Sequence, residues 1–264
     1  MPHRILSASE TYPEFHGLCA LTVMAKAPRP GRVKTRLSPP LTPEQCAAIN
    51  SCFLRDTTED LAGICSEEAG GSHAAAAGVI SYTPLGDEAL YQGIVPETFT
   101  LMLQRGEVFG ERLLAAAEDL LACGYSAVCL IDSDSPTVPT AAFLQAVEEL
   151  AKPGDRIVLG GSDDGGYYLI GMKQPHPEPF ANITWSTGSV YAETVAAIHA
   201  ARIELVELPV WYDVDDQATL TVLEDELLHG KQPAFAQAAG YKFNGYAAPH
   251  TTEFLQRRRA EGAS

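Results

Sequence analysis

The chain has 264 residues, 46% hydrophobic and 20% charged, the composition of a globular protein with a substantial core. Its 18 Lys and Arg against 34 Asp and Glu give a net charge of −16, which argues against a general binder of nucleic acid or of anionic membranes. No apolar run reaches the ~18 residues of a membrane span, and the opening residues lack an apolar export segment, so a cytoplasmic protein is expected.

In chain order, residues 18–25 read as a buried strand, and Thr42-Pro43-Glu44-Gln45 as a helix start. Thr42 can cap, Pro43 suits the first helical position and Gln45 can reach back, so a helix should run to about residue 62. Strands follow at 76–82 and 98–103, then a helix from Gly110 whose Leu113, Leu114, Ala117, Leu120 and Leu121 form one apolar face. A fourth strand spans 126–131, and a helix starts near Pro139. Strands at 156–159 and 167–172 flank a Gly/Asp loop. A helix over 186–201, a strand over 204–210 and a helix over 216–228 complete the regular part.

This alternation predicts an α/β fold, a mostly parallel sheet with helices on both faces. It also predicts a single domain over 1–230 with a C-terminal appendage over 231–264, which could be a lid, a brace or a homodimer contact. The six cysteines contain no Cys-x-x-Cys and match no zinc or disulfide framework, so they are expected to be reduced and structural.

Ligands of open α/β sheets bind at the carboxyl ends of strands, and several of those ends carry unusual residues. The first strand leads into a loop holding Lys26, Arg29, Gly31, Arg32, Lys34 and Arg36 with no acid among them, a sensible cradle for phosphates. It is neither a Walker loop nor a Rossmann glycine motif. After the fourth strand, Asp132-Ser133-Asp134 places two carboxylates two residues apart, a pattern that can hold Mg²⁺ or Mn²⁺ or simply form a turn. The stretch 160–171, with Asp164, Gly165, Gly166 and Tyr167, can approach a ligand closely or turn a hairpin. Asp213, Asp215 and Asp216 follow the last strand. Asp216 can cap the next helix, and Asp215 could be brought beside Asp134.

In order, these motifs resemble the DUF2064 proteins, also called the transferase 1 family associated with radical-SAM/selenodomain or arsenosugar gene sets. These are nucleotide-diphospho-sugar transferase superfamily members with the GT-A (Rossmann-like) fold. The matching stretches are Lys26-Ala27-Pro28 with Gly31 and Lys34-Thr35-Arg36-Leu37, Phe109-Gly110-Glu111-Arg112-Leu113, and Ser133-Asp134-Ser135-Pro136. Further matches are 164–171, Ile183-Thr184-Trp185-Ser186-Thr187 and Tyr212-Asp213-Val214-Asp215.

The resemblance implies that Asp134 and Asp215 hold a divalent metal on a nucleotide's phosphates; Asp132 and Asp213 are further candidate ligands, and Asp132 could instead point away. It implies that the loop from Lys26 to Arg36 wraps those phosphates, with Lys34 and Arg36 foremost, and that Asp164 with Gly165, Gly166 and Tyr167 faces the sugar or acceptor. Trp185 and Ser186 would lie at the rim. The family usually has glycine where this chain has Asp132.

Two reactions fit these expectations. Glycosyl transfer from a nucleotide sugar to a small-molecule acceptor suits the aspartate pair. Nucleotidyl transfer from an NTP to a phosphorylated or acidic acceptor, releasing pyrophosphate, suits a loop of five cations. Asp134, Lys34 and Asp164 are the catalytic candidates, Asp164 as the group that activates an acceptor hydroxyl. A non-catalytic nucleotide or sugar-phosphate sensor is the third reading.

Overall fold

The computed structural model describes residues 2–66 and 75–262; residue 1 and residues 263–264, the ends of the two expected regions, lie outside it. Seven strands form one sheet: β1 (Cys19–Lys26), β2 (Ala76–Thr83), β3 (Thr100–Leu103), β4 (Ala127–Ile131), β5 (Arg156–Ser162), β6 (Tyr167–Met172) and β7 (Glu204–Trp211). Their order is β3-β2-β1-β4-β6-β5-β7, and β6 alone runs antiparallel to its neighbours. The helices are α1 (Pro43–Cys65), α2 (Phe109–Ala122), α3 (Thr140–Ala151), α4 (Val190–Ala200), α5 (Gln217–His229), α6 (Ala234–Ala238) and α7 (Pro249–Gly262).

Strand side chains alternate between faces, so each buried strand feeds two cores. On β4, Cys129 and Ile131 join Ile49, Phe53 and Leu54 of α1 and Phe143 and Val147 of α3. Val128 and Leu130, on the other face, join Leu113, Ala117 and Leu120 of α2 and Ile198 of α4. Burying each such Leu, Ile or Phe contributes about 1.5–3 kcal/mol, which is what holds helices to both faces.

Local chemistry fixes the ends. The Thr42 side chain accepts from Gln45 N (3.2 Å), and Gln45 Oε1 accepts from Thr42 N (3.0 Å), so α1 starts with the expected capping box. Asp216 Oδ1 accepts from Thr219 N at 2.9 Å and caps α5. α4 begins at Val190, four residues later than the periodicity suggests, because Ser186 adopts a left-handed φ of +63° and breaks the helical path. All six cysteines are free.

The segment after α5 packs against the body of the domain. Phe235 and Phe243 lie against Trp211, and the Asp56 carboxylate of α1 accepts from His250 N (2.9 Å) and Thr251 N (2.8 Å) at the start of α7.

Candidate active site

The four parallel strands β1, β4, β5 and β7 deliver their carboxyl ends to one edge of the sheet, where a cleft of about 520 Å³ opens. Antiparallel β6 begins at the same edge, so Tyr167 joins the lining.

At the end of β1, the basic loop divides its cations. Lys34 turns inward: Nζ lies 2.8 Å from Asp134 Oδ1 and 3.4 Å from Asp215 Oδ1, and donates to Val214 O at 2.7 Å. Burial works to lower the Lys34 pKa, but Asp134 and Asp215 more than offset it, so the ammonium is held charged. Arg36 reaches Asp215 Oδ2 at 3.3 Å with 73% of its side chain exposed. Lys26, Arg29 and Gly31 do not line the cleft. Arg29 is drawn to the buried Asp87 carboxylate, with Nε 2.7 Å from Oδ2.

At the end of β4, Asp134 opens to the cleft whereas Asp132 is tied down. Asp132 Oδ2 accepts from Ser135 Oγ at 2.7 Å, and its carboxyl is held well above the usual range by burial and then by Asp134. The backbone joins the two acidic loops, because Val214 N donates to Asp134 O at 2.9 Å.

The β5–β6 connection is a hairpin. Asp164 Oδ1 accepts from Gly166 N at 2.7 Å, and Gly165 takes a φ of +91°. A Cβ on Gly165 would lie 2.1 Å from Gly188 O, so the glycine is what lets the hairpin tip touch the loop before α4. Gly166, Tyr167, Trp185 and Ser186 line the cleft; Gly165 itself does not.

At the end of β7, Asp213 Oδ1 accepts from Ser162 Oγ at 3.1 Å, and its carboxyl is pushed up to about 6 by burial, then by Asp164 and Asp215. The strand ends thus bring together Asp132, Asp134, Asp164, Asp213 and Asp215 with Lys34 and Arg36. The lining also includes Thr35, Phe109, Ser162, Thr187, Gly188 and Val190, which the sequence reading did not place in the site. Phe109 carried one usable signal, an aromatic immediately before a glycine at a helix start.

Strand order and cleft position define the class first: this is a nucleotide-diphospho-sugar transferase fold. The sequence profile of DUF2064, described as an uncharacterized protein conserved in bacteria, matches residues 69–187. A protein of Desulfovibrio desulfuricans G20, provisionally assigned as a nucleotide-diphospho-sugar transferase, is 29% identical with a TM-score of 0.70, over 92% of this chain and 98% of that one. CMP:2-keto-3-deoxy-manno-octonic acid synthetase, in a complex with CTP, shares the fold at 11% identity and a TM-score of 0.50, over 81% of this chain and 100% of that one. Among curated proteins, none matches the chain.

Proposed function

We propose that this transferase moves a glycosyl group from a nucleotide-diphospho-sugar to a small acceptor, with a divalent cation on the diphosphate. The observation that carries the reading is the division of the basic loop. Of its cations only Lys34 and Arg36 line the cleft, and Lys34 is engaged by Asp134, Asp215 and Val214 O. That suits a diphosphate better than a triphosphate, and so favours glycosyl over nucleotidyl transfer. The provisional assignment of the Desulfovibrio desulfuricans G20 protein supports the same substrate class.

Asp134 and Asp215 fit a divalent metal. Their carboxylates flank one ammonium, and the side chains are 34% and 43% exposed. Mg²⁺ is commonly held by one or two carboxylates plus substrate phosphate oxygens, which matches this pair. No group of three or more acidic, His or Cys side chains suited to a metal occurs among the described residues, so substrate and water would complete the shell. When bound, Mg²⁺ or Mn²⁺ would neutralise phosphate charge.

The chain's own residues supply the rest. Lys34 holds the two carboxylates in register, and Arg36 extends toward the phosphates. Asp164 is exposed, and its second oxygen makes no hydrogen bond among the described residues. An acceptor hydroxyl attacks the anomeric carbon, its proton passes to Asp164, and the bond from that carbon to the diphosphate oxygen breaks.

The test is product-resolved turnover with Mg²⁺, nucleotide sugars, nucleoside triphosphates and a pool of acceptors. Nucleoside diphosphate with a new glycoside is expected. Pyrophosphate with a nucleotide adduct would replace this reading with nucleotidyl transfer.

A further inference from the structure

The cleft has an aromatic wall that the phosphate end does not explain. Phe109, the first residue of α2, lines the cleft with 51% of its surface exposed. Its ring meets Trp185 edge-on, with centroids 5.1 Å apart and planes at 84°. Tyr167 meets the same indole from β6 at 6.4 Å. The next residue makes this pairing possible. A Cβ on Gly110 would lie 2.9 Å from Trp185 Cζ2 and Nε1 and 3.0 Å from Phe180 O, so only glycine lets the indole rest on the first turn of α2. Glu111 Oε2 already accepts from Glu107 N (3.0 Å) and Val108 N (3.5 Å), so the exposed phenyl ring is not needed to finish the helix.

The charge lining the same cleft selects the occupant. Asp164 is the carboxylate at this end of the cleft, on the hairpin tip that touches the loop carrying Trp185, whereas Asp134 and Asp215 pair with Lys34 and Arg36 at the phosphate end. Carboxylates accept hydrogen bonds and offer none when ionised, while aromatic faces take apolar C–H surfaces. A ring with an apolar face and several hydroxyl donors satisfies both demands. A nucleobase also stacks but brings few donors to the carboxylates, and an anionic ring meets like charge.

Building on the glycosyl-transfer reading, we infer that Phe109 and Trp185 form a stacking platform for an uncharged pyranose ring whose hydroxyls donate to Asp164, and that this wall discriminates against anionic sugars.

The chain's two tryptophans make the test direct, because Trp211 is 1% exposed and Trp185 faces the cleft. Intact protein is titrated with methyl pyranosides of the gluco, galacto and manno series, their 6-phosphates and the matching uronates. Trp185 emission and its quenching by acrylamide are followed, and nucleoside diphosphate affinity is measured separately by calorimetry. A neutral pyranoside should protect Trp185, while its 6-phosphate and uronate bind about tenfold more weakly or worse. Phe109→Ala should weaken the neutral ligand about fivefold, Phe109→Tyr less than about twofold, and neither should change nucleoside diphosphate affinity.

The proposal fails if the phosphates or uronates bind as tightly as the neutral sugar, or if Phe109→Ala leaves pyranoside affinity intact. It also fails if Phe109→Ala weakens the diphosphate equally, which would make the wall a base platform. Pyranoside binding without any nucleoside diphosphate binding supports the platform and removes the glycosyl-transfer reading. The reverse pattern removes the platform alone.

Discussion

Lys34 Nζ stands 2.8 Å from Asp134 Oδ1 with 3% of the lysine side chain exposed, so a charge supplied by the β1 loop is neutralised at the end of β4. The same ammonium reaches Asp215 and the backbone carbonyl beside it, so one side chain ties three strand ends. Removing it leaves two carboxylates facing each other. Lys34→Met is expected to lower stability by about 1–3 kcal/mol, less than a fully buried pair because the aspartates are partly exposed. Millimolar Mg²⁺ should restore part of the loss. Thermal unfolding with and without Mg²⁺ checks this, and identical melting for variant and native protein would remove the structural role.

Asp134→Ala is expected to reduce turnover by about a hundredfold or more, since it removes one of the two carboxylates proposed to hold the cation that neutralises the phosphates. Its side chain is one-third exposed, so the fold should persist. Circular dichroism and Mn²⁺ binding separate the effects. Native-level turnover would exclude Asp134 as a metal ligand.

Gly165→Ala should destabilise the protein by about 2–4 kcal/mol, because the new methyl meets Gly188 O while the backbone stays at a positive φ. The damage should centre on the hairpin and the loop before α4, and hydrogen exchange would locate it. An alanine variant with unchanged stability would show that the two loops can separate freely.

Asp60 gives a pH dependence remote from the cleft. Burial pushes its carboxyl up to about 6, against the hydrogen bond from Thr140 Oγ1 at 2.6 Å that pulls it down. Between the ordinary aspartate value and about 6, the folded state keeps a proton that the unfolded chain releases, so stability falls as pH rises through that window and then levels off. Asp60→Asn should therefore add about 2 kcal/mol at pH 8 and almost nothing at pH 4. Denaturant unfolding at the two values decides it, and an equal effect at both would show that the charge is not the cause.

Much of the architecture was legible because the signals are local. Strand and helix periodicities follow from backbone geometry over a few residues, and the caps at Thr42 and Asp216 are made by side chains three residues from their partners. The basic loop, the acidic strand ends and the Gly165 turn were visible in the same way. Their partners were not. Arg29 and Lys34 sit five residues apart in one basic run, yet one is taken by Asp87 and the other by Asp134 and Asp215.

By itself, the sequence determined which segments form the sheet, which faces are buried and which strand ends carry charge. Tertiary structure decided which charges meet. Lys34 and Asp215 are 181 residues apart along the chain, and only the order β1-β4-β6-β5-β7 brings their loops to one edge. It also decided that Phe109 and Trp185 share a wall, because α2 and the loop before α4 meet on one face of the sheet. Hydrogen-bonded periodicity is set by near neighbours, whereas ion pairing and ring contact depend on distances that exist only once the sheet has closed.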